Sequence, residues 1–159
     1  GDNLALTTAG LVGHAQSLAR TLAAEVSLFE LRRGDSMTVR GAATLTANIL
    51  SGRPHWVQLL IVGVDSEGGS VYSIDSAGGS IPDSYCATGS GSPYMYGVLE
   101  DGFKENMTRD AAVALAARAL SASAQRDAAS GNGMDLAVIT AKDGYVPVEQ
   151  SEIAAVLKK

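Results

Sequence analysis

The sequence predicts an α+β fold in which antiparallel strands are covered by pairs of helices. Three observations carry that prediction. Apolar residues recur at helical spacing through two consecutive segments, then switch to strand spacing after Pro54. A run of short, turn-linked strands follows, and after it two more helical segments arrive together. Helices therefore come in pairs between runs of strand, which argues against a doubly wound parallel sheet with one helix after each strand.

Each element has its own signal. Leu4, Leu6 and Thr8 alternate with smaller residues and run into Ala9-Gly10, a short strand ending in a tight bend. From about Gly13 to Arg33, the residues Ala15, Leu18, Leu22, Val26 and Phe29 fall at steps of three and four, and Arg32, Arg33 and Gly34 close the helix. A second helix covers about Thr38 to Leu50 and stops at Ser51-Gly52. His55 to Asp65 reads as a buried strand, Glu67-Gly68-Gly69 as a hairpin turn and Val71 to Asp75 as the returning strand. Ser76 to Ser80 is a further turn, and Tyr85 to Thr88 a short strand. Ser92-Pro93 opens the third helix, with the serine as cap, and it ends near Gly102. Thr108 with Asp110 opens the fourth, whose apolar face is Val113, Ala116, Ala117, Leu120 and Ala124. Met134 to Thr140 and Tyr145 to Val148 form a hairpin around Lys142-Asp143-Gly144, and a last helix covers Ser151 to Leu157.

Composition narrows the functions. The 159 residues, 46% hydrophobic, suit one domain, and with aromatics at 5% the core falls to Ala, Val, Leu and Ile. The formal net charge is -5 and no Lys/Arg run reaches four residues, so no footprint for nucleic acid is present. No apolar stretch is of membrane-spanning length. Cys86 is the single cysteine, which suits a reducing cytosol. With one thiol and no His/Asp spacing of metal type, neither a metal site nor a cofactor is expected. Gly89-Ser90-Gly91-Ser92 could cradle a phosphate before a helix, but no Gly-Lys-Ser/Thr follows; nor is it a Gly-x-Ser-x-Gly elbow, since Pro93 stands where the last glycine belongs.

Five segments taken in order resemble a 20S proteasome β subunit of the archaeal type. They are Ala9-Gly10-Leu11-Val12-Gly13-His14-Ala15-Gln16, Val57-Gln58-Leu59-Leu60, Tyr72-Ser73-Ile74-Asp75-Ser76-Ala77-Gly78-Gly79, Ala87-Thr88-Gly89-Ser90-Gly91-Ser92-Pro93, and Gln125-Arg126-Asp127-Ala128-Ala129-Ser130-Gly131. The resemblance implies a four-layer αββα sandwich, with two antiparallel sheets flanked by helix pairs, which is the N-terminal-nucleophile hydrolase fold. It implies one proteasome β-type domain over 1–159, N-terminally incomplete, because the family's first strands and its threonine nucleophile, aspartate and lysine have no counterpart here. On this basis the chain is expected to be inactive alone.

The resemblance also implies roles. Gly10 matches the glycine whose N–H forms the oxyanion hole, and Ser90, Asp127 and Ser130 match the residues around the threonine amine. Thr8 and Val12 match walls of the primary specificity pocket, and Asp75 a position reaching a neighbouring subunit's pocket. Taken singly, Gly10 reads as a turn, Asp127 and Ser130 as a polar helix end, and Thr8 and Val12 as core. The implied activity is threonine-type endopeptidase, in the cytoplasm, on unfolded polypeptides. Its implied partners are six further β subunits in a heptameric ring and the α-subunit ring, with no cofactor, nucleic acid or membrane. The alternative is a non-catalytic structural ring subunit or truncated scaffold.

Overall fold

A computed structural model describes residues 2–158. The described chain has the α+β class predicted, with five helices and two antiparallel sheets in the order β1 (Leu4–Gly10), α1 (Val12–Arg33), α2 (Val39–Gly52), β2 (Val57–Asp65), β3 (Gly68–Ile74), β4 (Ser80–Asp83), α3 (Ser92–Gly102), α4 (Arg109–Arg126), β5 (Ala137–Thr140), β6 (Gly144–Pro147) and α5 (Gln150–Leu157). It divides into two compact units, one of Gly1–Gly89 with Ile139–Tyr145, the other of Ser90–Val138 with Val146–Lys159. Among the described residues no helix is long and apolar enough to cross a membrane.

The first unit is built on the antiparallel sheet β1-β2-β3-β4. Val57, Leu59 and Ile61 of β2 are buried while Gln58 is exposed, as strand alternation requires. That apolar face takes Ala15, Leu18 and Leu22 of α1 and Val39, Ala42, Ala43 and Leu50 of α2, with Val26 and Phe29 at its margin. The five residues that the helical spacing selected on α1 are the ones that meet this core. Gly34, at φ 71°, ends α1 by donating its N–H to Glu30 O, a left-handed position that suits glycine. Thr38 caps α2 by accepting from Gly41 N–H at 3.0 Å. Asp65 ties the hairpin to that helix: Oδ1 accepts from Glu67 N–H and Oδ2 from Val39 N–H, both at 2.8 Å.

Two expectations are corrected in this region. Tyr85 to Thr88 is not a strand; the fourth strand is Ser80–Asp83, and Tyr72 pairs with Pro82. Pro82 lacks the N–H for a ladder and so fits only an edge strand, which β4 is. Ser92 is not the cap of α3. The cap is Gly91, with no side-chain hydrogen bond, and Pro93 occupies the first turn.

In the second unit α4 packs against α3 and α5. Thr108 accepts from Ala111 N–H at 3.3 Å and opens α4. Val113 and Ala117 are buried as expected, but Leu115, Ala119 and Ser123 are buried too, because a helix with neighbours on two sides hides more than one stripe. Val113, Val148 and Ile153 form a small core with Met134, Leu136 and Val138 against it. Arg109 at the start of α4 donates to both carboxylate oxygens of Glu152 on α5.

Candidate active site

The ladder decides which backbone groups of β1 are free. Leu11 N–H donates to Trp56 O at 2.9 Å and Val64 N–H to Asn3 O at 3.0 Å. These bonds bracket the register that runs from Leu4↔Gly63 to Gly10↔Val57. Antiparallel pairs alternate, so odd-numbered positions bond to β2, and the N–H and C=O groups of Leu4, Leu6, Thr8 and Gly10 point away from it. Among the described residues β1 is an edge strand, and no strand takes those groups.

Gly10 closes β1 at φ 119°, where a side chain is strained. A Cβ there would overlap the carbonyl oxygen of Trp56. Only glycine fits the corner. Beside it lies a groove of about 330 Å³, lined by Leu6, Thr8 and Gly10 and, from α1, by Val12, Ala15, Gln16 and Ala19. The structure thus brings Thr8, Gly10 and Val12 to one concavity, with an outward backbone N–H at its rim and mostly apolar walls. His14 braces the corner: its Nδ1 accepts from Trp56 N–H at 3.0 Å, and its ring meets that of His55 edge-on at 5.1 Å. His55 donates from Nδ1 to Arg53 O at 2.6 Å, since a carbonyl only accepts.

Asp75, also in the first unit, turns back on its own loop. Its Oδ1 accepts from Ala77 N–H and from Gly79 N–H, each at 2.9 Å. These donors, Gly79 first, hold its carboxyl below the usual aspartate range. Asp75 shapes the Ser76 to Gly79 turn and is exposed.

The second unit joins the other three residues directly. Asp127 ends α4 and its backbone N–H donates to Ser123 O. Its Oδ2 accepts Ser90 Oγ–H at 2.6 Å and Ser130 Oγ–H at 2.7 Å, while Oδ1 accepts Ala129 N–H at 3.2 Å. Ser90 and then Ser130 account for most of the lowering of the Asp127 carboxyl below its ordinary value. A carboxylate cannot donate, so both serine protons are committed to it. What Ser90 and Ser130 have left is lone pairs. The cluster is an acceptor of N–H or O–H groups, held ready by one negative charge.

The sequence reading missed Ser123. It lies 4% exposed on α4, and its Oγ is 2.9 Å from Ser130 Oγ. The available signal was spacing: Ser123 precedes Asp127 by four residues, so the two share one helix face. Gly91 makes room for the cluster, since a Cβ there would overlap Ser123 Oγ and come within 2.9 Å of Ser130 Oγ.

Comparison with known proteins places the chain in a family. The family profile described as Proteasome subunit matches residues 1–139, spanning parts of both units. The chain is 46% identical over 158 residues to the proteasome subunit beta of Methanobrevibacter ruminantium, covering 99% of this chain and 76% of that one. It is 49% identical over 157 residues to that of Thermoplasma acidophilum, covering 97% and 74%. With the subunit of Archaeoglobus profundus the identity is 48% over 160 residues, covering 98% and 74%. The chain belongs to the proteasome subunit family, and within it to the β type of the 20S core. Membership implies assembly with other proteasome subunits and a place among hydrolases.

Proposed function

We propose that this β subunit is a threonine-type endopeptidase of a heptameric ring, stacked on rings of α subunits in the cytoplasm, and that it degrades unfolded polypeptides. The observation that carries the reading is the commitment of both Ser90 and Ser130 protons to one oxygen of Asp127. Two hydroxyl oxygens so oriented accept from a primary amine, and an N-terminal threonine carries such an amine beside its own nucleophile. In this reading the threonine hydroxyl attacks the scissile carbonyl carbon and its proton passes to that amine. The leaving amine takes the proton as the C–N bond breaks, and water then cleaves the ester. Gly10 N–H, outward on the free edge of β1, donates to the oxyanion. Thr8 and Val12 bound the groove that takes a medium-sized, apolar side chain. Asp75 belongs to the wall offered to a neighbouring subunit.

The reading assigns the nucleophile to no residue of these 159, and these residues alone are expected to leave a peptide intact. The test is to express the gene at its full natural length and assay a fluorogenic peptide. Cleavage by a large ring, abolished when the threonine at the mature N-terminus becomes alanine, is the expected result. A mature subunit without that threonine, or cleavage indifferent to its loss, ends the protease reading and leaves a structural ring subunit.

A further inference from the structure

We propose that Ser123 is a positioning residue of this site: with the Ser130 proton held by Asp127, Ser123 donates to one lone pair of Ser130 Oγ and leaves the other turned towards the amine. This rests on the threonine-peptidase reading. The geometry allows one proton order. Ser130 Oγ lies 2.7 Å from Asp127 Oδ2 and 2.9 Å from Ser123 Oγ, and it has a single hydrogen. The carboxylate only accepts, so that hydrogen points to Asp127. Ser123 must then be the donor in the second contact.

A buried serine inside a helix ordinarily bonds the carbonyl four residues back, as Thr46 does with Ala42 O at 2.7 Å. Ser123, 4% exposed, instead meets Ser130 Oγ. Its hydroxyl is thereby removed from helix duty and added to the cluster. The result is a directional chain, Ser123 to Ser130 to Asp127, met from the other side by Ser90. Each donation polarises the next and strengthens it. Without Ser123, the Ser130 hydroxyl keeps its bond to Asp127 but loses the second contact that orients its lone pairs. Gly91 keeps this contact possible, because any side chain there would displace Ser123 Oγ.

The experiment uses the full-length ring with Ser123→Ala and Ser123→Cys. Cysteine fills the space but is a weak donor. Both variants are expected to lower kcat about three- to ten-fold, the effect of one neutral hydrogen bond, with KM within about twofold of the parent. Ser121→Ala on the same helix, which removes only the acceptor of a 3.3 Å bond from Gln125, is expected to leave kcat unchanged. A cysteine variant that turns over at the parental rate makes the role one of packing and overturns the proposal. A second readout stands apart from activity: the acid titration of Asp127, followed by its 13Cγ resonance, is expected to move up in both variants. An unmoved titration overturns the inference even in an active ring. A moved titration in a ring whose cleavage ignores its N-terminal threonine upholds the network and removes the peptidase reading instead.

Discussion

Gly10→Ala tests how tightly the first corner of the chain is specified. Gly10 sits at φ 119°, and its added Cβ would overlap Trp56 O and approach Val57 Cα at 3.1 Å. The conformation costs an alanine about 1–3 kcal/mol. The overlap is with backbone held in a ladder, so relief requires moving the β1–β2 pairing, at about 1–3 kcal/mol more. The sum, about 2–6 kcal/mol, is a large part of the roughly 5–15 kcal/mol that holds a domain together. Three residues on, Gly13 has nothing within 4 Å of its Cβ position and lies in α1. Gly13→Ala should therefore stabilise, by about 0.5 kcal/mol, through helix preference alone. Thermal melts of both variants beside the parent decide the matter. At about 2–4 °C per kcal/mol for a chain of this size, Gly10→Ala is expected to melt roughly 4–24 °C lower, and Gly13→Ala level with the parent or slightly above. A Gly10→Ala protein melting within about 2 °C of the parent would refute the steric argument.

Three further outcomes follow from the same geometry. Gly91→Ala should destabilise by about 1–3 kcal/mol through displacement of Ser123 and Ser130, whereas Gly97→Ala, with open space around its Cβ, should not; urea midpoints of the two separate these cases. Asp75 and Asp127 have carboxyls lowered in the folded state, so their stabilisation is present above the unfolded value of about 3.9 and is lost as pH falls through the folded one. Asp75→Asn keeps an acceptor oxygen but cannot titrate, so its urea midpoint should fall less steeply than the parent's below about pH 4, and parallel curves would contradict this. Burial first, then Asp83, raise the Cys86 thiol, so at pH 8 the native chain should react with iodoacetamide more slowly than the same chain in urea.

Much of the architecture was legible because it rests on periodicity. The stripe from Ala15 to Phe29 and the alternation from Val57 to Ile61 are burial patterns written in residue order, and both hold. The misreadings occur where order and environment diverge. Tyr85 to Thr88 is read as a strand, yet the ladder partner of β3 is Ser80–Asp83, where the missing N–H of Pro82 costs nothing on an edge. Serine before proline looked like a cap, but Gly91 caps α3 and leaves Ser92 as its first residue. The meeting of Ser90, Asp127 and Ser130 had no local signal, since 37 residues separate the first two. It was reached through resemblance. Ser123 escaped both routes, because among alanines on α4 a serine reads as a neutral helix residue, and only coordinates reveal where its hydroxyl turns.

The central claim is that the carboxylate of Asp127 organises an amine-accepting site for peptide cleavage. It is tested most directly by comparing fluorogenic-peptide turnover of the full-length ring with its Asp127→Asn variant. The amide carries no negative charge to hold the two serine protons and sets an NH2 against Ala129 N–H, where Oδ1 accepts, so the account predicts a loss of about a hundredfold or more in kcat, the scale of a misplaced acid–base partner, from rings that still assemble. Assembled Asp127→Asn rings that cleave the peptide at the parental rate would contradict it.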